Sequence, residues 1–479
     1  MLIAEGRRRV NKEIATRPNV LWICTDQQRW DTIHALGNDF INTPNIDRLV
    51  AEGVACENAF CQAPICTPSR ASFLTGMYAS SIRACTNGNH HWAEAVPLVT
   101  KQLADAGYAC GLSGKLHLAG CHGRVEPRPA DDGYSVFHWS HSHRDIWPTG
   151  HAYADWVRGK GSVLGRTYAE KGSMPADLHQ TTFCAQKAVE FIETDWDQPW
   201  LMSVNIFDPH PPLDPPEEFR RRYDPDRVPG PRYRESDLDA QRRLADVDFQ
   251  SSPRDPESFQ AREKIAAYYA MIELIDDNVG RMLEALERTG QRENTLVIFT
   301  SDHGEMLGDH GLLAKGCRFY EGLVHVPLIF SWPGVLPQGE QRQALVELTD
   351  IAPTLLELSG QEPPERMAGR SLWPLLTGAT DHHRNEVRCE YYDALSMVNP
   401  DRGDWNRTRA TMIRTDRHKL VIYHGLDVGE FFDLGEDPDE YTNLWDSTPH
   451  QQIKWDLTKR AFDATVAAVD TGPEATQVF

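Results

Sequence analysis

Short apolar runs rich in β-branched and aromatic residues recur along the chain, separated by stretches in which apolar residues return every third or fourth position. Val20-Leu21-Trp22-Ile23-Cys24, residues 201–207, Leu296-Val297-Ile298-Phe299 and residues 326–332 have no polar alternation, which predicts strands covered on both faces. The clearest helical period begins near Arg262 and carries Ile265, Tyr269, Ile272, Ile275, Val279, Met282 and Leu286, stopping before Gly290. Such alternation predicts an α/β fold, a mostly parallel sheet sandwiched by helices.

The pattern breaks twice. Residues 210–260 are rich in Pro, Arg and Asp and lack any period, which predicts a functional rim or mobile lid, or else a disordered excursion. Composition changes again near residues 375–383, and beyond it residues 411–423 and 430–434 predict strands of a smaller antiparallel sheet. The expected organisation is a catalytic domain over residues 1–378 and a smaller α+β subdomain over residues 379–479. A chain of 479 residues exceeds one ordinary core, in keeping with that division.

A hydrophobic share of 40% and a charged share of 25% are those of a soluble globular enzyme. The net charge of −21 leaves no basic excess to neutralise phosphates, so a nucleic-acid partner is excluded and an anionic substrate needs a local cluster of cations. The basic run Arg7-Arg8-Arg9 with Lys12 is expected to be a solvated arm. Neither a signal-like apolar stretch nor a run long enough to span a membrane is present, so the expectation is a cytoplasmic protein without a membrane partner. Ten cysteines at irregular spacing do not make a disulfide framework. Cys24 and Cys110 fall in apolar runs and are expected in the core, while the five-residue steps of Cys56, Cys61 and Cys66 are not a usual zinc spacing.

Two of the apolar runs end in acids. One leads into Thr25-Asp26-Gln27 and the other into Ser301-Asp302-His303-Gly304. Ligand sites in open α/β sheets form beyond the carboxyl ends of the strands, where residues remote in sequence meet. The third signal is Cys66-Thr67-Pro68-Ser69-Arg70-Ala71-Ser72-Phe73-Leu74-Thr75-Gly76. Taken singly, the acids are ordinary helix caps or turns and Cys66 a buried thiol at a helix start, with Pro68 in the first turn.

Together these residues resemble the type I, formylglycine-dependent sulfatases of the alkaline phosphatase superfamily. The similarity runs over essentially the whole chain. It includes Thr43-Pro44-Asn45-Ile46-Asp47-Arg48-Leu49, Gly114-Lys115-Leu116-His117-Leu118, Gly308-Asp309-His310-Gly311-Leu312-Leu313-Ala314-Lys315-Gly316 and Arg414-Thr415-Asp416-Arg417-His418-Lys419-Leu420. The resemblance implies an alkaline-phosphatase-like sheet with a small C-terminal antiparallel sheet, and hydrolysis of sulfate esters. It implies that a maturation enzyme reading Cys-x-Pro-x-Arg oxidises Cys66 to formylglycine. One oxygen of the aldehyde hydrate then attacks sulfur beside a divalent metal ion, Ca²⁺ or Mn²⁺, and the other expels sulfate from the covalent intermediate by restoring the C=O bond.

On the same resemblance, Asp26, Asp302 and the formylglycine at Cys66 would hold the metal, with Gln27 and His303 nearby or coordinating. Arg70 would hold the formylglycine, and Lys115 and Lys315 would contact the sulfate oxygens. His117 would take the proton that triggers collapse of the intermediate, and His210 would assist the leaving group. The implied partners are a small anionic ester substrate and the maturation enzyme, and a homo-oligomer stays open.

Two positions depart from the common sulfatase pattern. Gln27 stands where many members have a second Asp, and His303 where they have Asn. An imidazole is a poorer Ca²⁺ ligand than an oxygen, which brings Mn²⁺ into play. These two residues are similar to those of phosphonate monoester hydrolases and related phosphodiesterases, which share the formylglycine, so hydrolysis of such esters is the alternative. Lys115 and His117 point back to sulfatases, since the phosphonate enzymes lack that pair. A non-catalytic, ligand-binding pseudoenzyme is the remote alternative, opposed by the retention of Cys66, Arg70 and both acids. His138, Trp139, His141, His143, Trp147 and His151 cluster in one stretch and either line a substrate pocket or make ordinary loop contacts. Asn87 and Asn89 are further candidates to face the site, while His310 and Asp381-His382-His383 are expected to be structural or exposed.

Overall fold

The computed structural model describes residues 17–89, 92, 96–121, 123–145, 150–395 and 408–469, so the basic arm at Arg7-Arg8-Arg9 and Lys12, and Trp147, lie outside the described residues. Among them, the strands of the main sheet are β1 (Asn19–Asp26), β2 (Gly53–Phe60), β3 (Ala109–Gly114), β4 (Val136–Trp139), β5 (Trp200–Pro209), β6 (Thr295–Ser301), β7 (Leu328–Ser331) and β8 (Glu340–Glu347). Their order is β4-β3-β5-β1-β6-β7-β2-β8. Every pairing is parallel except those of β7, which runs antiparallel to both β6 and β2.

The unbroken apolar runs are explained by burial on both faces. Val20, Trp22 and Cys24 of β1 face one core, with Phe73 and Leu74 of the helix Cys66–Thr75 and with the helix Ile351–Leu358. Leu21 and Ile23 face the other, against the helices Gln180–Ile192 and Ala261–Arg288. All seven apolar positions read from the period of the long helix are buried. Each such side chain removed from water stabilises the fold by about 1.5–3 kcal/mol.

The second sheet is antiparallel, with β9 (Val387–Tyr392), β10 (Arg409–Arg414), β11 (His418–Tyr423) and β12 (Gly429–Asp433) in the order β12-β11-β10-β9. Residues 411–423 are thus a hairpin turning at Thr415, whose amide bonds the His418 carbonyl at 2.8 Å. The helix Gln451–Ala467 packs Leu457 and Ala461 on this sheet. It left little trace in the pattern because Trp455, Phe462 and Val466 face solvent.

Residues 210–260 are not a disordered excursion. They hold the short helices Glu217–Arg220 and Glu235–Arg243, and the segment is pinned by buried Phe219, Tyr223, Val228, Leu244, Val247 and Phe259. Isolated anchors in an irregular backbone bury apolar surface without producing a period. No helix among the described residues is long and apolar enough to cross a membrane.

Candidate active site

Four adjacent parallel strands, β3, β5, β1 and β6, end on the same edge of the sheet. From those ends come Lys115, His210, Asp26 with Gln27, and Asp302 with His303. The chain can turn out of β3 directly into Lys115 because residue 114 is glycine. Its φ is 103°, and a Cβ there would stand 1.9 Å from the Asn205 carbonyl oxygen of β5. Cys66 arrives separately as the first residue of the helix Cys66–Thr75, after the extended Ile65 and with Gly76 in the left-handed region closing the far end.

These residues form one buried, charged cluster. Arg70 Nε lies 2.8 Å from Asp302 Oδ2, its Nη2 is 3.3 Å from Asp26 Oδ2, and its Nη1 donates to the Lys115 carbonyl at 2.9 Å. The Lys115 ammonium bonds Asp26 Oδ2. Cys66 Sγ is 2.7 Å from Lys315 Nζ, 3.3 Å from His303 Nε2 and 3.6 Å from Asp26 Oδ1. Burial opposes the charge on Asp26, yet Lys115, Lys315, His210 and Arg70 hold its carboxyl well below the usual range. Burial and Asp26 push the Cys66 thiol up, but Lys115, Lys315 and His303 outweigh them and leave it lowered. The pocket therefore favours a negative atom at position 66.

The donor set fits a divalent metal. Asp26, Cys66, Asp302 and His303 offer ligand atoms within 4.8 Å of one another. His303 Nδ1 must donate to the Gly304 carbonyl at 2.9 Å, since that oxygen only accepts, so Nε2 keeps a lone pair facing the cluster. Burial works against an imidazolium there, but Asp302 prevails and raises the His303 pKa; a bound cation would stand in for that proton. The Gln27 amide donates its Nε2 to Glu305, which leaves Oε1 buried without a partner. The Gln27 backbone amide bonds Asp302 Oδ1 at 3.0 Å, so this orphaned oxygen belongs to a residue tied directly to the cluster.

His117 and His210 flank this cluster, and no hydrogen bond among the described residues joins them to Cys66. Burial, then Lys115, lowers His117 well below its ordinary pKa, and its buried Nδ1 has no partner. His210 is likewise lowered, by burial and then Lys315. Its Nδ1 donates to the Pro211 carbonyl at 2.6 Å, which leaves Nε2 as a lone pair.

Several site residues escaped the sequence reading. Glu126 accepts the backbone amides of His117, Leu118 and Ala119 at 2.6, 2.8 and 3.3 Å, and the Trp139 indole at 2.8 Å. It thereby holds His117 at its φ of 56°. Phe207 sits between cations and imidazoles, with its ring 5.2 Å from Lys115 Nζ, 4.6 Å from His210 and 5.4 Å from His141. Both lacked a motif; Phe207 was visible only as the end of a strand ending in the same edge as Asp26. The aromatic stretch splits up. His141 lies 5.3 Å from His117, Trp139 packs under Glu126, and His151 caps the helix Ala152–Gly159. Asn87 accepts the Thr67 amide at 3.2 Å, beside Cys66, whereas the Asn89 carbonyl accepts from Gly120. His310 stacks on Tyr320 at 3.9 Å and His383 bonds Asp350 at 3.0 Å, both structural. A cleft of about 410 Å³ lined by Trp30, His310, Tyr320, Glu321, Arg414 and Glu440 contains none of the predicted site residues.

The sulfatase family model matches residues 18–361, and a model described as N-sulphoglucosamine sulphohydrolase, C-terminal, matches residues 308–466. An arylsulfatase of Clostridium perfringens is 29% identical over 91% of this chain and 92% of its own length. A choline-sulfatase of Rhizobium meliloti is 30% identical over 94% of this chain and 89% of its own. The solved phosphonate monoester hydrolase of Agrobacterium radiobacter superimposes with a TM-score of 0.81 at 27% identity, covering 95% of this chain and 96% of its own.

Proposed function

The chain belongs to the sulfatase family and is a sulfuric ester hydrolase, and we propose that its reaction uses formylglycine made from Cys66 beside one divalent metal, through a covalent sulfated intermediate. The observation that carries this reading is the convergence at residue 66 of Lys315, His303 and Asp26 within 2.7 to 3.6 Å. Ca²⁺ or Mn²⁺ held by Asp26, Asp302, His303 and Gln27 would supply Lewis-acid activation of the ester and of the aldehyde hydrate.

The chain's own residues divide the remaining work. Arg70 ties Asp26 to Asp302 and so fixes the floor on which residue 66 stands. Lys115 and Lys315 place fixed positive charge where the sulfate oxygens gather charge in the transition state. His117 is neutral at physiological pH and keeps a free Nδ1. It accepts the proton of the remaining hydroxyl at position 66 as the C–O bond to sulfate breaks and C=O re-forms. To serve the departing alkoxide from Nε2, His210 must first take up a proton there, which burial and Lys315 oppose and an arriving anion favours.

Gln27 and His303, with the likeness to a phosphonate monoester hydrolase, support a second reading in which phosphonate monoesters or phosphodiesters are also cleaved. The deciding experiment compares turnover of an aryl sulfate, a phosphonate monoester and a phosphodiester on one metal-loaded preparation. Fastest turnover of the sulfate ester supports the first reading, and a preference for either phosphorus ester replaces it with the second. The mass of the Cys66 peptide, after co-expression with a maturation enzyme, reads the modification directly. It should lose one sulfur and two hydrogens and gain one oxygen.

A further inference from the structure

A second polar group is buried beside the active site. His143 comes from the loop after β4, His179 caps the helix Gln180–Ile192, and Asp208 lies near the end of β5. All three side chains are fully buried, and their ligand atoms lie within 4.8 Å of one another.

The surroundings fix the His143 tautomer from outside. His143 Nε2 is 2.8 Å from Asp214 Oδ1, and Asp214 also receives Arg144 at 2.8 Å and the Tyr168 hydroxyl. Paired with the Arg144 guanidinium at 2.8 Å, Asp214 is an acceptor towards His143. Nε2 therefore carries the proton and Nδ1 the lone pair. The Thr181 amide approaches His179 Nδ1 only to 3.4 Å, too long to hold that lone pair, so Nδ1 can turn it to an ion. His143 Nδ1 stands 3.7 Å from Asp208 Oδ1, and His179 Nδ1 stands 3.4 Å from Asp208 Oδ2. Across the first gap acceptor faces acceptor. His143 Nδ1 and Asp208 Oδ1 have no hydrogen-bond partner. An orphaned buried acceptor has lost its water without gaining a partner, and a cation between the two removes that penalty.

We infer that His143, His179 and Asp208 form a second divalent-metal site, distinct from the Cys66 centre, with the donor set of Zn²⁺. A tetrahedral ion with bonds of about 2.0–2.1 Å spaces its ligand atoms about 3.3–3.4 Å apart; His179 Nδ1 and Asp208 Oδ2 already stand 3.4 Å apart, and one ligand atom from each of the three residues lies within 4.8 Å of the others. Two imidazoles and one carboxylate suit Zn²⁺ far better than Ca²⁺, which takes six to eight oxygens. Asp214 behind His143, and the Thr181 hydroxyl 2.8 Å from Asp208 Oδ2, are the outer partners that orient such ligands. A proton is a poorer occupant. Contacts of 3.4 and 3.7 Å between these imidazoles and the carboxylate exceed the reach of a shared proton. The ion would clamp β5 to the helix start and to the loop bearing His141. Since Pro209 pairs in register with Asp26, that clamp positions the His210 segment against the catalytic centre.

The test is metal analysis of the full-length chain equilibrated with Zn²⁺ and Ca²⁺, for wild type, His143→Gln, Asp208→Asn and Asp26→Asn. Wild type should hold two equivalents of divalent metal, and His143→Gln and Asp208→Asn one, while Asp26→Asn loses the other equivalent independently. Chelation should lower the wild-type Tm and Zn²⁺ restore it, with both effects absent from His143→Gln. A wild type that binds only the equivalent sensitive to Asp26→Asn, or a His143→Gln that keeps both, overturns the second site. An Asp26→Asn protein that keeps both equivalents overturns the catalytic-metal reading instead. Glutamine at 143 retains a donor for Asp214, and asparagine at 208 an acceptor for Thr181. Should either be insoluble, the visible spectrum of Ca²⁺-saturated, Co²⁺-loaded wild type decides: tetrahedral bands support the site, and their absence overturns it.

Discussion

Asp26 and Asp208 lie on neighbouring strands, one register step apart, and are buried alike, yet their surroundings are balanced in opposite senses. Around Asp26, the cations Arg70, Lys115 and Lys315 face two carboxylates, and the surplus is positive. Around Asp208, one carboxylate faces two imidazoles, and the acceptors His143 Nδ1 and Asp208 Oδ1 lack partners. A preorganised positive surplus has its desolvation cost met during folding and waits for an anion. A deficit of donors waits for a cation. The contrast teaches that the sign of what is missing, rather than the mere presence of buried polar groups, tells what a site binds.

The largest expected break in the comparison comes from Cys66→Ala. It removes the proposed nucleophile while leaving every ion pair of the cluster in place, so turnover should fall by at least about 10⁴-fold, the scale of a lost nucleophile. Thermal unfolding should barely change. Appreciable turnover by the alanine protein would end the formylglycine mechanism. Next in size, His117→Ala should slow sulfate ester hydrolysis by about a hundredfold or more, the scale of a lost general base. Because sulfur transfer precedes the step His117 serves in the proposed mechanism, a sulfated enzyme should accumulate and be visible by mass spectrometry. Equal, small losses on sulfate and phosphorus esters would instead promote the phosphonate reading.

A stability measurement sharpens the contrast between the two carboxylates. Asp302→Asn strips Arg70 of its 2.8 Å partner inside the fold, and breaking a buried pair this way costs about 3–5 kcal/mol. Asp208→Asn, compared with wild type after chelation, strands no cation and should cost about 1 kcal/mol, a neutral hydrogen bond's worth. Urea unfolding of the two variants checks this, and equal losses would mean that the two surroundings are not balanced as described.

Much of the catalytic cluster was legible in the sequence because its parts sit at fixed offsets from strong signals. Asp26 and Asp302 end unbroken apolar strands, and Cys66 and Arg70 share one helix turn. Sheet order was not legible, since nothing in β3 or β5 alone says that they flank β1. Glu126 stayed hidden because its role is to accept amides, a task that depends on where a loop returns and not on any spacing. His143 appeared only as one of several loop histidines, for its partners His179 and Asp208 are 36 and 65 positions away. For the irregular segment 210–260 the sequence leaves a rim or lid and a disordered excursion both open, because its six buried apolar anchors are too widely spaced to form a pattern.

The smallest effect is a shift in a pH profile. Burial, then the Lys115 charge, depresses the His117 pKa well below 6.5. The folded imidazole is therefore neutral where the unfolded one begins to take a proton. Its contribution to stability is fully present above about pH 6.5 and is lost as pH falls from there towards the folded value, at about 1.4 kcal/mol per pH unit. The same depression keeps the base ready, so the acid limb of kcat for a sulfate ester, which includes the breakdown step that His117 serves, should lie well below pH 6.5. Lys115→Ala removes one of the two causes named here and leaves the burial. The limb should then move up part of the way towards 6.5 on a lowered rate, while Lys160→Ala, on the exposed end of a distant helix, should leave it in place. A wild-type limb already at 6.5, or one that Lys115→Ala does not move, would mean that the positive surplus around Asp26 does not reach His117.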